Sequence, residues 1–302
     1  LASRRQRQMC IRDRINIATS MFFAEISGSA VADVAALGSI LIPAMKKKGY
    51  PGAFAAAVTS SSASLAIIIP PSIPMIVYAV MSQSSVVQLF VAGIIPGVIG
   101  GFFLMLAAYV TARKKNFPVE ETFNIPNVKK TAKDAALAFL LPVIILGGIF
   151  GGVVTATEGA GLAVVASLVI GFIYKEIDFK RLYESACEGA IQTASVMLLV
   201  AASVLLGEFL TIEQIPQKVA ESIIEFTNNK YAVLGILNIF LLIIGFFLHS
   251  VAAIILTVPI VMPLVNAVGI DPVHFGIIVT LNLAIGQQTP PVASVLVTAC
   301  SV

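Results

Sequence analysis

The sequence predicts an all-α integral membrane protein built from inverted repeats, with re-entrant helical hairpins and broken transmembrane helices. An apolar composition, long apolar runs and landmarks that recur in the second half of the chain support this fold class. The 302 residues are 58% hydrophobic and 12% charged, with a mean hydropathy of +0.97. Soluble domains carry about 25% charged residues, whereas a membrane helix needs about 20 apolar residues to cross the lipid core. We therefore expect a lipid bilayer around most of the chain.

The recurring landmarks are prolines and glycines that interrupt apolar segments. Each has a counterpart 220 residues later: Pro43, Gly49 and Pro70-Pro71 correspond to Pro263, Gly269 and Pro290-Pro291. Proline removes an amide donor and frees a carbonyl one turn earlier in a helix. A duplicated, interrupted apolar segment therefore predicts a binding site near the middle of the membrane.

The apolar pattern divides the chain into six expected segments. They are 1–14, a non-native leader expected to be disordered; 15–113, a first repeat of hairpin, broken helix and span; 114–134, a cytoplasmic arm; 135–209, connecting spans; 210–231, an external interfacial helix; and 232–302, a truncated second repeat. The leader holds five arginines and no apolar core, which argues against a signal peptide. A native basic arm is the alternative for this leader.

Two apolar stretches are too long for simple crossings. A straight helix over 232–266 would measure about 52 Å, whereas the hydrocarbon core is about 30 Å thick. Turn residues lie near the middle of each stretch, at Ser27-Gly28-Ser29 in 15–45 and at His249-Ser250 in 232–266. We therefore expect two re-entrant hairpins. The remaining predicted spans are 52–81 with its proline break, 89–112, 135–154, 159–174 and 190–207.

The basic residues orient these segments. Twelve of them fall on alternate loops: Lys46, Lys47, Lys48, Arg113, Lys114, Lys115, Lys129, Lys130, Lys133, Lys175, Lys180 and Arg181. Cytoplasmic loops of membrane proteins are enriched in Lys and Arg, so these loops are predicted to be cytoplasmic. With both hairpins in place, the two repeats then have opposite orientations in the bilayer.

Two shorter patterns predict local structure. Residues 214–230 place Val219, Ile223 and Phe226 at helical spacing, opposite charged positions, which predicts a surface helix. A solvated connector is the alternative for this stretch. Glu158 follows Thr155 by three residues at the start of an apolar run, and this spacing is typical of a capping box.

Several long strings resemble one transporter family. The run SGSAVADVAALGSILIPAMKKKGYPGAFAAAVTSSSASLAIIIPPSIPMIVYAV (27–80), the segment TATEGAG (155–161) and the closing stretch 252–297 resemble the DctM-type large membrane subunit of tripartite ATP-independent periplasmic (TRAP) transporters. The resemblance implies a multi-pass protein of the bacterial inner membrane that takes up organic acids, of dicarboxylate or sugar-acid type, with Na⁺ as coupling ion and no other cofactor. It also implies two partners, a small TRAP membrane subunit and a periplasmic substrate-binding protein.

The hairpin turns and proline breaks supply the candidate binding residues. Na⁺ is a hard cation and prefers hydroxyl, carbonyl and carboxamide oxygens, which unwound backbone in transporters provides. The candidates for ion and substrate binding are Ser27, Gly28, Ser29, Ile69, Pro70, Pro71, Ser250, Asn282, Gly286, Thr289, Pro290 and Pro291, with Ser27, Ser29, Asn282 and Thr289 as the Na⁺ candidates. The alternative is that the small residues serve only close helix packing. The roles of Glu25, Asp33 and His249 stay open.

Other classes of function are not supported by the sequence. It has no metalloprotease, nucleophile-elbow or Walker motif, so we expect no enzyme activity. Its basic residues follow the membrane loops, which argues against nucleic-acid binding. The main alternative is a stand-alone, ion-coupled organic-anion transporter of inverted-repeat design that needs no binding protein.

Overall fold

The computed structural model describes residues 11–115, 140–175, 177–227 and 229–302. Within these ranges every regular element is a helix, which confirms the all-α prediction. By length and composition, five of the described helices could cross a membrane. The chain divides into two compact units, one formed by 1–121 and 206–302 and the other by 122–205.

The first repeat contains five helices in the first unit. They are α1 (Ile11–Ser27); α2, which joins Ala30–Asp33, a wider π-helical turn Val34–Gly38, and Ser39–Lys47; α3 (Gly52–Ala63), extended by a 3₁₀ turn at Ser64–Ile67; α4 (Ile73–Ser82); and α5 (Val86–Lys114). The predicted turn at Ser27-Gly28-Ser29 separates α1 from α2, and the proline pair Pro70-Pro71 separates α3 from α4. Both predictions for this repeat are confirmed.

The second unit holds α6 (Leu140–Phe150), α7 (Ala156–Ile173) and most of α8 (Phe179–Ile212). α7 begins with the predicted capping box. The backbone N–H of Thr155 donates to the Glu158 carboxylate at 2.8 Å, and the N–H of Glu158 donates to Oγ1 of Thr155 at 3.3 Å. Two orphan amides at the start of the helix are satisfied in this way.

The second repeat follows in the first unit. After α9 (Ile215–Phe226), which packs against the second hairpin, come α10 (Lys230–Phe247), α11 (Ser250–Ala267), α12 (Pro272–Gly286) and α13 (Ser294–Ser301). The hairpin turn lies at Leu248-His249, so Ser250 is the first residue of α11. The break after α12 contains Pro290-Pro291, as predicted. The order of elements therefore repeats that of α1 to α4.

The two broken helices run in opposite directions. α4 packs against α11 and α12, and the Tyr78 hydroxyl donates to the carbonyl of Pro272, the first residue of α12, at 2.7 Å. Reciprocally, α13 packs against α3. Since the second half of each broken helix lies beside the first half of the other, the repeats are inverted, as the sequence predicted.

Some expectations fall outside the described residues. The cytoplasmic arm 114–134 is described only through Lys115, and residues 1–10 of the expected leader are not described. α1 begins at Ile11, four residues before the expected start of the first repeat. The interfacial position of α9 stays a prediction.

Candidate functional site

The first hairpin tip lies against the first break. The backbone N–H of Ile73, just after the break, donates to the carbonyl of Gly28 at 3.2 Å. Gly28 has a φ of +61°, and a Cβ placed on it would lie 2.6 Å from the carbonyl oxygen of Pro71. The tip and the break therefore meet through backbone atoms, which only a residue without a side chain permits.

The second repeat has the same arrangement with different residues. The N–H of Val292, just after Pro290-Pro291, donates to the carbonyl of Phe246 near the second hairpin tip at 3.2 Å. A Cβ on Gly286 would lie 2.6 Å from the Cα of Gly245. In both repeats a hairpin tip is thus held at the depth of a break.

Three polar residues are joined in the first tip. The Ser27 hydroxyl donates to the Asp33 carboxylate, and the N–H of Ser29 donates to Oγ of Ser27 at 3.2 Å. Asp33 is fully buried, and its Oδ2 has no hydrogen-bond partner among the described residues. The sequence left the role of Asp33 open, whereas the structure places it beside both predicted serines. An acceptor oxygen of this kind is available to a cation.

The carbonyls freed by the first break have two different surroundings. The Ile67 carbonyl accepts the hydroxyl of Ser72 at 2.7 Å. The Ile68 carbonyl faces α5, where a Cβ on Gly93 would lie only 2.5 Å away. Gly97, one turn further along α5, similarly leaves room for Ile69. Sequence analysis missed this glycine face of α5, although its four-residue spacing is typical of close helix packing in membranes.

The second break contains two glutamines that sequence analysis also missed. Gln287 is 2% exposed, and neither atom of its carboxamide has a partner among the described residues. Gln288 donates from Nε2 to the carbonyl of Ser60 at 2.7 Å and to the hydroxyl of Ser64, both in the first repeat. Comparison of positions 220 residues apart could have identified these glutamines. The equivalent residues of the first repeat are the apolar Ile67 and Ile68, so polar side chains occur in only one of the two breaks at these positions.

Two of the predicted Na⁺ candidates form hydrogen bonds with residues of α10 and α12. The Thr289 hydroxyl, in the turn after α12, donates to the carbonyl of Ile285 in the last turn of α12 at 3.1 Å. Nδ2 of Asn282 donates to Oδ1 of Asn238 in α10 at 2.7 Å and to the carbonyl of Ile278 at 2.8 Å. The amide nitrogen of Asn282 therefore links α10 to α12, and a contribution to cation binding would come from its carbonyl oxygen.

The remaining predicted residues differ in exposure. Pro70 and Ser250 are buried, whereas Pro290 and Pro291 are exposed. His249, whose role the sequence left open, is also exposed at the second tip. The second break is thus more open than the first along its proline pair.

Helix ends of both polarities surround the two breaks. α1, α3, α10 and α12 end there, and α2, α4, α11 and α13 begin there. The C-terminal ends carry partial negative charge and carbonyl oxygens that favour cations. The N-terminal ends carry partial positive charge and amide groups that favour anions. The arrangement suits a cation and an anion in the same region.

A family model and several known proteins are similar to this chain. The family model described as "Tripartite ATP-independent periplasmic transporter, DctM component" matches residues 13–302. The isethionate TRAP transporter permease protein DctMQ of Oleidesulfovibrio alaskensis is 43% identical over 278 residues, which cover 91% of this chain and 44% of that protein. The C4-dicarboxylate TRAP transporter large permease protein DctM of Pseudomonas aeruginosa is 41% identical over 273 residues, with coverages of 90% and 64%.

The name of a further relative refers to a different substrate. The sialic acid TRAP transporter large permease protein SiaM of Vibrio cholerae is 37% identical over 283 residues, covering 93% of this chain and 66% of that protein. The chain therefore spans between 44% and 66% of the length of these three relatives.

Proposed function

We propose that this chain, which belongs to the DctM component family of tripartite ATP-independent periplasmic (TRAP) transporters, forms the binding core of a Na⁺-coupled permease for organic acids. It is a multi-pass protein of the bacterial inner membrane. The proposed activity is transport and not catalysis. Relatives named for C4-dicarboxylate and sialic acid suggest a dicarboxylate or a sugar acid as the substrate.

One observation carries this proposal: two inverted copies of a hairpin tip held against a broken helix meet inside one unit. Non-helical backbone at membrane depth is tolerated only where it is buried in protein or lines a cavity. Two such places at equivalent positions of an inverted repeat are typical of secondary transporters, whose substrate and ion sites lie between the repeats.

Na⁺ is proposed to bind at the two breaks. In the first repeat, Ser27, Ser29 and the unpartnered Oδ2 of Asp33 would hold it. In the second repeat, the unpartnered Oε1 of Gln287 and the carbonyl oxygen of Asn282 would do so. Two of these oxygens, on Asp33 and Gln287, are buried at a hairpin tip or a break and have no partner among the described residues, which supports this assignment. A buried polar atom without a partner is energetically costly unless a ligand satisfies it. Bound Na⁺ would supply positive charge beside an anionic substrate.

Two partners are part of the proposal. Family membership suggests that a periplasmic substrate-binding protein delivers the organic acid and that a small membrane subunit completes the complex. The alternative, a stand-alone anion transporter, is tested by leaving out the binding protein. Uptake that continues at the same rate without it would favour the alternative.

The ion assignment is tested with Ser27→Ala in the intact permease that contains this chain. The permease is reconstituted in proteoliposomes with its partners, and the initial rate of labelled organic-acid uptake is measured against Na⁺ concentration. We expect the half-saturating Na⁺ concentration to rise about tenfold, because a hydrogen bond or ligand contact to a charged group is worth about 1.5 kcal/mol or more.

Ser39→Ala is the matched control, since the Ser39 hydroxyl is exposed and donates to the carbonyl of Ala36 in the same hairpin at 2.8 Å. It should leave Na⁺ activation unchanged. Unaltered Na⁺ activation in both Ser27→Ala and Asn282→Ala would contradict the site assignment. If uptake by the wild-type complex does not depend on the Na⁺ gradient, the proposed function itself is contradicted.

A further inference from the structure

Gln288, in the second break, forms hydrogen bonds with the end of α3, next to the first break. It lies in the turn after α12, and its side chain reaches the first repeat, 228 and 224 positions away in sequence, at Ser60 and Ser64. Its Nε2 donates to the Ser60 carbonyl at 2.7 Å and also to the Ser64 hydroxyl.

The two acceptors lie where α3 changes its helical geometry. The α-helix ends at Ala63 and tightens into the 3₁₀ turn that begins at Ser64. Both the N–H and the hydroxyl of Ser64 also donate to the Ser60 carbonyl, the latter at 3.2 Å. Gln288 therefore holds the last turn of α3, from which the carbonyls of the first break follow directly.

The link is one-sided in a duplicated structure. The residue opposite Gln288 in the 220-residue comparison is Ile68, whose side chain has no donor or acceptor. The side-chain amide of Gln288 therefore donates hydrogen bonds to the first repeat, whereas the equivalent side chain in the first repeat cannot form any to the second. The contact is a property of this pair of breaks and does not follow from the repeat fold.

We propose that Gln288 is a positioning residue that couples the two breaks, so that a cation bound at one break favours binding at the other. The inference rests on the proposed function, since it concerns how the two cation sites act together. A cation that orders the turn after α12 would hold the Gln288 amide on α3, and through it the first break. Na⁺ activation of uptake is then cooperative, with a Hill coefficient above 1.

The test is Gln288→Met, which keeps the length of the side chain and removes both the donor and the acceptor atoms of the carboxamide. In reconstituted intact permease with its partners, we expect the Hill coefficient for Na⁺ to fall towards 1. The half-saturating Na⁺ concentration should rise about fivefold, which corresponds to about 1 kcal/mol, while the uptake rate at saturating Na⁺ is retained. A merely structural loss would lower the maximal rate or stability without changing the Hill coefficient.

Ser64→Ala gives a second, milder variant that removes one of the two acceptors. It should shift the Hill coefficient in the same direction by a smaller amount. The double variant should behave like Gln288→Met alone, because both changes act on one contact. If Gln288→Met does not fold, Ser64→Ala still decides the question, and an unchanged Hill coefficient in it would overturn the proposal.

Asn16→Leu is the matched control. Asn16 is buried, and its Nδ2 donates to Oγ1 of Thr59 at 2.9 Å, which joins α1 to α3 within the first repeat. It should lower thermal stability and leave the Hill coefficient unchanged. An equal fall in the Hill coefficient for Asn16→Leu would overturn the coupling role of Gln288. Wild-type activation by Na⁺ with a Hill coefficient of 1 would overturn it while leaving the proposed function intact.

Discussion

Both the backbone conformation at position 28 and the close approach of a neighbouring carbonyl favour glycine there. Its φ of +61° lies in the left-handed region, and its missing side chain lets the Pro71 carbonyl approach the turn. An alanine at a left-handed position costs about 1–2 kcal/mol. The added Cβ would also have to displace backbone, which is a cost of overpacking.

These two costs can be separated by substitution. We expect Gly28→Ala to lower the free energy of unfolding by about 2–5 kcal/mol, the sum of the strain and about 1–3 kcal/mol for the clash. Gly269→Ala is the control for strain alone, because Gly269 has a φ of +70° and nothing lies within 4 Å of its Cβ position. Thermal unfolding in detergent measures both, and equal losses in the two variants would contradict the close contact with Pro71.

The individual residues of the candidate site were predictable only in part. Ser27 and Ser29 follow from turn chemistry, because small polar residues between two apolar runs mark a hairpin tip. Asp33 is six residues beyond Ser27, and its contact with Ser27 depends on how α2 leaves the turn. The hydrogen bonds of Asn282 and Thr289 depend on neighbours along and across the helices, which a residue type does not reveal.

At the scale of elements, α10 and α12 pack through two glycines near the second break. The space for an added Cβ differs between the two glycines. A Cβ on Gly286 would lie 2.6 Å from the backbone of Gly245, whereas a Cβ on Gly245 would lie 3.2 Å from the Cα of Gly286. Small residues let membrane helices approach this closely.

This inequality predicts an order of effects. Gly286→Ala should destabilise the protein by about 1–3 kcal/mol and reduce uptake, because α12 must move away from the second hairpin tip. Gly245→Ala should have the smaller effect on both quantities. Thermal unfolding and Na⁺-dependent uptake check the order, and a larger loss in Gly245→Ala would show that the helices meet differently.

The elements themselves were largely predictable. Both hairpin turns and both proline breaks lie where the apolar pattern and the prolines indicated, because apolar length and proline chemistry act over a few residues. The glycines of α5 were not recognised as a packing face. These glycines pack against the first break, and the sequence of α5 alone does not show which segment packs against it.

At the scale of the whole molecule, the inversion of the repeats predicts opposite sides of the membrane for equivalent loops. Lys47 and Ala267 are equivalent positions at the ends of α2 and α11, and both are exposed. The basic residues around Lys47 predict that its loop is cytoplasmic. The loop after α11 is then expected to face the periplasm.

Single cysteines test this arrangement directly. The cysteines of the intact permease, which include Cys187 and Cys300 of this chain, are replaced by alanine, and Lys47→Cys and Ala267→Cys are introduced separately. A membrane-impermeant thiol reagent added to intact spheroplasts should label the cysteine at position 267 and not the one at 47. Permeabilised cells, in which both should react, are the control. Labelling of both positions from the outside would contradict the inverted topology.

Local chemistry in the chain was enough to establish the membrane class, the duplicated plan, the turns and the breaks, since each depends on composition or on residues close together in sequence. Folding in three dimensions decided which buried oxygens have no partner among the described residues, and it brought Gln288 onto the first repeat. Asp33 and Gln287 become notable only through burial, and Gln288 only through a contact 228 positions away. Such features depend on how distant segments pack, and that packing is a property of the whole fold.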